Sequence, residues 1–130
     1  MHICQLTLTY NRDSCLQRAL RFYIEQDYTG PSTMLIFNSG KETGIPEDVL
    51  KELPPNKRII LLNKAKNNSG NDYSSVGEKF KEALQKVGEL VPEATVVCHA
   101  DVDDVFLKNY LSDGAKGIEK AHSLGKKAFK

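Results

Sequence analysis

Three aspartates crowd the stretch HADVDDVF, residues 99 to 106, where Asp101, Asp103 and Asp104 follow an apolar run. In an extended segment alternate residues point the same way about 6.5 Å apart, so Asp101 and Asp103 can address one ligand together. Their mutual repulsion asks for a cation. Oxygen-only ligation by so few groups suits Mg²⁺ or Mn²⁺, which keep waters and complete their shell with phosphate oxygens; a nucleoside diphosphate is the natural third party. The competing reading is structural, because aspartates after a strand often cap the next helix, and Asp103 or Asp104 stands where such a cap belongs. His99 reads as a strand-end histidine rather than a ligand.

Elements of alternating period must hold these acids in place. Ile3 to Thr9 is an apolar, β-branched run that ends in the polar turn Tyr10-Asn11-Arg12-Asp13, and so reads as a strand. Leu16, Ala19, Leu20, Tyr23 and Ile24 then recur at helical spacing, with Ser14 and Gln17 as an expected capping box and Thr29-Gly30-Pro31 as the stop. Met34 to Phe37 is a second strand running into Asn38-Ser39-Gly40. Pro46 opens a short helix, with Glu47 and Asp48 at its positive end and Val49, Leu50 and Leu53 expected to face inward. Arg58 to Leu62 is a third strand, followed by the most polar stretch of the chain, residues 63 to 72, which reads as a long functional or mobile loop. Val76, Phe80, Ala83, Leu84, Val87 and Val91 predict an amphipathic helix whose wet side carries Lys79, Lys81, Glu82 and Lys86. Ala94 to Cys98 is a fourth strand. A last helix starts near Leu107 or Asn109 and buries Tyr110, Leu111, Ala115 and Ile118.

Strands alternating with helices predict an α/β domain with a mainly parallel sheet. Such sheets collect ligands beyond the carboxyl ends of their strands, where strand order reverses. The tips at residues 9 to 12, 38 to 40, 63 to 70 and 101 to 104 all follow strands, so a parallel arrangement gathers them on one edge. That edge is the candidate site.

Composition narrows the partners. With 130 residues the chain fits a single domain, residues 1 to 130, and 18 Lys and Arg against 17 Asp and Glu give a net charge of +1. No broad field favours nucleic acid or anionic lipid. The sequence has no membrane span and no signal-peptide pattern, which points to a cytoplasmic chain. Cys4, Cys15 and Cys98 are odd in number and lack zinc spacing, so free and mostly buried thiols are expected. The tail lysines Lys126, Lys127 and Lys130 read as a solvated or frayed end.

Two segments in the expected order resemble the family 2 glycosyltransferases of the GT-A fold. LTLTYNRDSCLQRALRFYIEQDY is similar to that family's opening strand, turn and helix, and DVDDVFLKNYL to its Asp-x-Asp metal motif and following helix. The resemblance implies a Rossmann-like three-layer sandwich, here the N-terminal, nucleotide-sugar-binding half of a GT-A domain. It implies a nucleotide-diphosphate sugar as partner, foremost a UDP-sugar, with Mg²⁺ or Mn²⁺ as cofactor and transfer of the sugar to a hydroxyl acceptor. By the same likeness Thr9 and Tyr10 would line the nucleoside pocket, Asn11 and Arg12 would shape its rim, and Asn38 and Ser39 would lie toward the base. Asp101 would meet ribose or sugar hydroxyls, Asp103 would hold the metal, and Asp104 would stand behind it.

Departures from the family pattern qualify these roles. Asn38 stands where the family commonly has a base-binding Asp, and Lys108 where proline is frequent; the Asn- and Gly-rich stretch after the third strand is echoed only by Asn67, Asn68 and Gly70. No residue is identifiable as the catalytic base. An alternative of another class is a non-catalytic interaction or regulatory module that retains the fold; a flavodoxin-like or receiver-like phosphate binder shares the alternating pattern but fits the Tyr10-Asn11-Arg12 turn less well. Later elements cover the sheet's far edge in a full GT-A domain, so an uncovered edge here would open a route to self-association.

Overall fold

The computed structural model describes the backbone of residues 1–123 and the side chains of residues 1–120. The tail lysines and the ring of His122 lie outside the described residues. Four strands, β1 (Ile3–Thr9), β2 (Ser32–Asn38), β3 (Lys57–Asn63) and β4 (Val96–His99), alternate with four helices, α1 (Asp13–Ile24), α2 (Glu47–Glu52), α3 (Val76–Leu90) and α4 (Tyr110–Ser123). The sheet has the order β3-β2-β1-β4, and each neighbouring pair is parallel.

The central strands β1 and β2 are buried along both faces, as expected of parallel strands with helices on either side. Alternation along the strands sends side chains into two cores. Ile3, Met34 and Ile36 pack with Leu16, Leu20 and Tyr23 of α1, Val49 of α2, and Leu111 and Ala115 of α4. On the opposite face Cys4, Leu6, Leu35 and Phe37 meet Ala83 and Val87 of α3. Three layers result, with α3 alone on its side among the described helices. Burial there lifts the Cys4 thiol pKa to about 12, which leaves it an inert core group, and none of the three cysteines is in a disulfide.

Several polar groups that enter the core are tied down. Gln26 donates to the carbonyls of Phe22 (3.2 Å) and Leu107 (2.7 Å) and accepts from the Leu111 N–H (3.0 Å), joining the end of α1 to the start of α4. Lys57 donates from Nζ to the carbonyls of Ile24 (2.7 Å) and Gln26 (2.6 Å), and so serves the unpaired carbonyls at the end of α1. Burial lowers its pKa.

Several local expectations are corrected. No side chain caps α1: Arg12 occupies the cap position, Ser14 sits inside the first turn, and Asp13 supplies the favourable negative charge. The side-chain cap is on α3 instead, where Ser75 accepts from the Glu78 N–H at 3.1 Å. Leu50, Val76 and Leu84 face outward, 48%, 72% and 41% exposed, because nothing packs over their faces of the short α2 and of α3. Glu82, expected on the wet side, is buried.

Candidate functional site

The sheet register creates the site. β1 pairs with β2 along its whole length, up to Thr9 beside Asn38, but it pairs with β4 only from Ile3 to Leu6. After the Ala100 N–H bonds the Leu6 carbonyl at 2.9 Å, the chain leaves the sheet and turns, with the Asp104 N–H on the Asp101 carbonyl at 3.2 Å. The last three residues of β1 are thus left with an open flank. Here the strand order reverses, since β2 and β3 lie to one side of β1 and β4 to the other.

A cavity of about 640 Å³ occupies this notch. Leu8, Thr9, Tyr10 and Arg12 line it from β1 and its turn, Ser39 from the β2 turn, His99 from the end of β4, Asp101 and Asp103 from beyond it, and Gly77, Lys79 and Phe80 from the first turns of α3. A second cavity of about 570 Å³ adjoins it, bounded by Asn11, Gly40, Lys41, Lys66, Asp72 and Tyr73, and sharing Tyr10, Ser39 and Lys79 with the first.

The acids gather as their spacing suggests. Asp101, Asp103 and Asp104 each offer a carboxylate oxygen, and these atoms lie within 4.8 Å of one another on the exposed surface. Such a set of hard oxygens, open to water, fits Mg²⁺ or Mn²⁺. Two of the acids already face internal partners: Arg12 stands 3.7 Å from the Asp103 carboxylate and His99 Nε2 3.3 Å from that of Asp101. Arg18 donates to the Asp103 carbonyl at 2.8 Å, which fixes the turn to α1. Asp104 also borders a separate hollow beside Val105, Phe106 and Leu107.

Asn11 and Asn38 organise the turns. Asn11 has a positive φ of 53°, a conformation that asparagine tolerates, and its carboxamide oxygen accepts from the Lys41 N–H at 2.7 Å. Gly40 lies so close that a Cβ there would strike that oxygen and come within 2.7 Å of the Asn11 backbone nitrogen. Asn38 is buried; it donates to the Lys41 carbonyl and the Asn63 side chain, each at 2.7 Å, and accepts from the Gly40 N–H at 3.0 Å. Its carboxamide is engaged within the turn and does not line either cavity.

Residues 64 to 75 form an organised loop. Asn67 Oδ1 accepts from the N–H groups of Ser69 and Asn71, each at 3.0 Å. Glu82 reaches up from α3 to accept from the Asn68 N–H at 2.9 Å and the Tyr73 hydroxyl at 2.8 Å, and it pairs with Lys64 at 3.3 Å. Burial pushes the Glu82 carboxyl up, but these donors and the Lys64 charge outweigh it, and the pKa ends below the ordinary glutamate value.

Sequence reasoning missed Lys79. Its Nζ lies 4.6 Å from the centroid of the Tyr10 ring and 6.0 Å from that of Tyr73. Nothing local marks it, because the contact joins the start of α3 to the turn after β1; only the placement of α3 over that turn could have found it.

No protein-family model and no curated protein matches the sequence. Solved structures do match. S. aureus TarS aligns over 94% of this chain and 20% of its own, at 21% identity and a TM-score of 0.67. TarS 1-349 in complex with UDP gives 20% identity, 94% and 33% coverage and a TM-score of 0.64; with UDP-GlcNAc the values are 20%, 94% and 32%, and 0.63. This chain therefore spans a fifth to a third of the TarS chains, and the likeness is one of fold. The expected fold class, a three-layer α/β sandwich of the GT-A type, stands. Among the described residues no helix is long and apolar enough to cross a membrane.

Proposed function

We propose that the notch between β1 and β4 is the donor site of a family 2 type glycosyltransferase domain, which binds a nucleotide-diphosphate sugar, foremost a UDP-sugar, for transfer to a hydroxyl acceptor. The observation that carries this reading is the meeting of two separate segments at one switch point: Thr9, Tyr10, Arg12 and Ser39 on one flank, Asp101 and Asp103 on the other. The TarS structures with UDP and UDP-GlcNAc share the fold and support the choice of ligand.

Each residue has a distinct task in this reading. Tyr10, 57% exposed, offers a ring face to the nucleoside, while Thr9 and Ser39 form the floor. Asp103 with Asp101 would hold Mg²⁺ or Mn²⁺, which when bound offsets the charge of the diphosphate. Asp101 can also accept from a sugar hydroxyl. Arg12 meets either Asp103 or a phosphate oxygen, since one exposed guanidinium reaches both sides of the notch.

The test is Asp103→Ala, read by titrating the chain with UDP in the presence of Mn²⁺. Affinity should fall by about tenfold or more with the fold intact, since a charge-assisted contact is lost; unchanged affinity would sink the metal assignment. A second reading, a non-catalytic interaction module, is favoured by Val105 and Leu107, which stand 67% and 72% exposed directly after the acids. Sugar transfer or donor hydrolysis across several nucleotide sugars separates the two.

A further inference from the structure

We infer that Lys79 is a diphosphate ligand of this site, an inference that rests on the proposed donor function. Three other Lys and Arg side chains line the two cavities, and each differs from it in kind or place. Arg12 faces Asp103, Lys66 is paired with Asp72, and Lys41 is exposed and borders the second cavity alone. The His99 ring stands against Asp101.

Lys79 is half-buried, lines both cavities, and has no carboxylate within ion-pair distance among the described residues. What holds it is the faces of Tyr10 and Tyr73. An aromatic face attracts a cation through its quadrupole without neutralising it, so the ammonium is positioned while its charge remains unspent. A carboxylate partner would have cancelled that charge.

Position supplies the second half of the argument. The residues shared by the two cavities are Tyr10, Ser39 and Lys79, so the ammonium stands at the junction between the cavity that holds the acids and the one bounded by Asn11, Gly40 and Tyr73. A nucleotide stacked on Tyr10, with its phosphates reaching toward Asp103, passes this junction with its diphosphate. The acids repel that group and Lys79 attracts it. A cation opposite the acids lets the diphosphate lie between two positive centres, the ammonium and the ion held by Asp103.

The experiment compares the full chain with Lys79→Met and Lys79→Arg, titrated with uridine, UMP and UDP in the presence of Mn²⁺ and followed by amide shifts and calorimetry. Methionine keeps the contact with the rings and removes the charge. Lys79→Met should bind UDP about tenfold more weakly, with uridine within about twofold of the unaltered chain, and Lys79→Arg should restore most of the loss. Equal weakening of uridine and UDP would overturn the inference by placing the effect on Tyr10 and the base. If Lys79→Met bound UDP as the unaltered chain does while Asp103→Ala did not, the inference would fall and the donor site would stand. Absence of UDP binding by the unaltered chain itself would remove both.

Discussion

Two polar stretches sit on the same edge of the sheet and are built in opposite ways. In the loop after β3, residues 64 to 75, polar side chains are consumed by the loop itself: Asn67 closes its turn, and Glu82 gathers Asn68, Tyr73 and Lys64. In the turn after β4, Asp101, Asp103 and Asp104 stay exposed, with long contacts of 3.3 to 3.7 Å to His99 and Arg12. Polarity alone does not mark a site. What separates the two regions is how firmly the polar groups are already engaged: the loop uses its own, while the acidic turn holds its carboxylates exposed on long contacts.

The sharpest way to break this contrast is Glu82→Ala. It leaves the Asn68 N–H and the Tyr73 hydroxyl without their acceptor and the half-buried Lys64 ammonium without its carboxylate, so the loop should open. Amide exchange at Asn68 and its neighbours is expected to accelerate by about tenfold or more, while protection along β1 and β2 persists. Unaltered exchange would mean that Asn67 and Glu78 suffice to hold the loop.

Acid should reproduce part of the same effect. Because the Glu82 pKa is lowered in the folded chain, its contribution is full above the ordinary glutamate value of 4.5 and is lost as pH falls through the lowered one. Loop amides should therefore lose protection below pH 4.5 before the strands do, and Glu82→Ala should abolish that pH dependence. A loop that exchanged identically at pH 7 and in acid would contradict the assignment.

Arg12→Gln tests the weakly held region and carries the smallest expected effect. The Arg12 and Asp103 side chains are both more than half exposed, and a surface pair of this kind is worth about 1 kcal/mol or less. Removing it should raise the affinity for Mn²⁺ alone by no more than about fivefold, measured by paramagnetic broadening at Asp101 to Asp104. A larger gain would show that the acidic turn is more firmly held than its geometry indicates.

The same distinction governs what the sequence made legible. Strands were readable because β1 and β2 are buried on both faces, so an apolar run was sufficient signal. The collection of turns at one edge followed from the alternating order, without any knowledge of contacts. Helix faces were harder: Val76 and Leu84 fit an apolar stripe, yet α3 covers the sheet only with the stretch around Ala83 and Val87. Glu82 looked solvated because a lone acid on a helix gives no sign of the three donors that await it. The Ser14–Gln17 and Ser75–Glu78 pairs are equally good capping patterns, and the chain uses the second because the Asn11 turn already sets how α1 begins. Thr9, Tyr10, Arg12, Ser39, Asp101 and Asp103 line one cleft, but that Asn38 faces the turn required coordinates.

The contact between Gly40 and Asn11 has a mechanical consequence. With no Cβ between them and with the Lys41 N–H bonded to Asn11, the turns after β1 and β2 are clamped into one jaw rather than two independent fingers. A ligand that presses on Tyr10 cannot displace its own turn without carrying Gly40 and Lys41 along. The opposing acidic turn is tied instead to α1, through Arg18 and the Asp103 carbonyl, so a ligand in the cleft meets two jaws anchored to different parts of the scaffold.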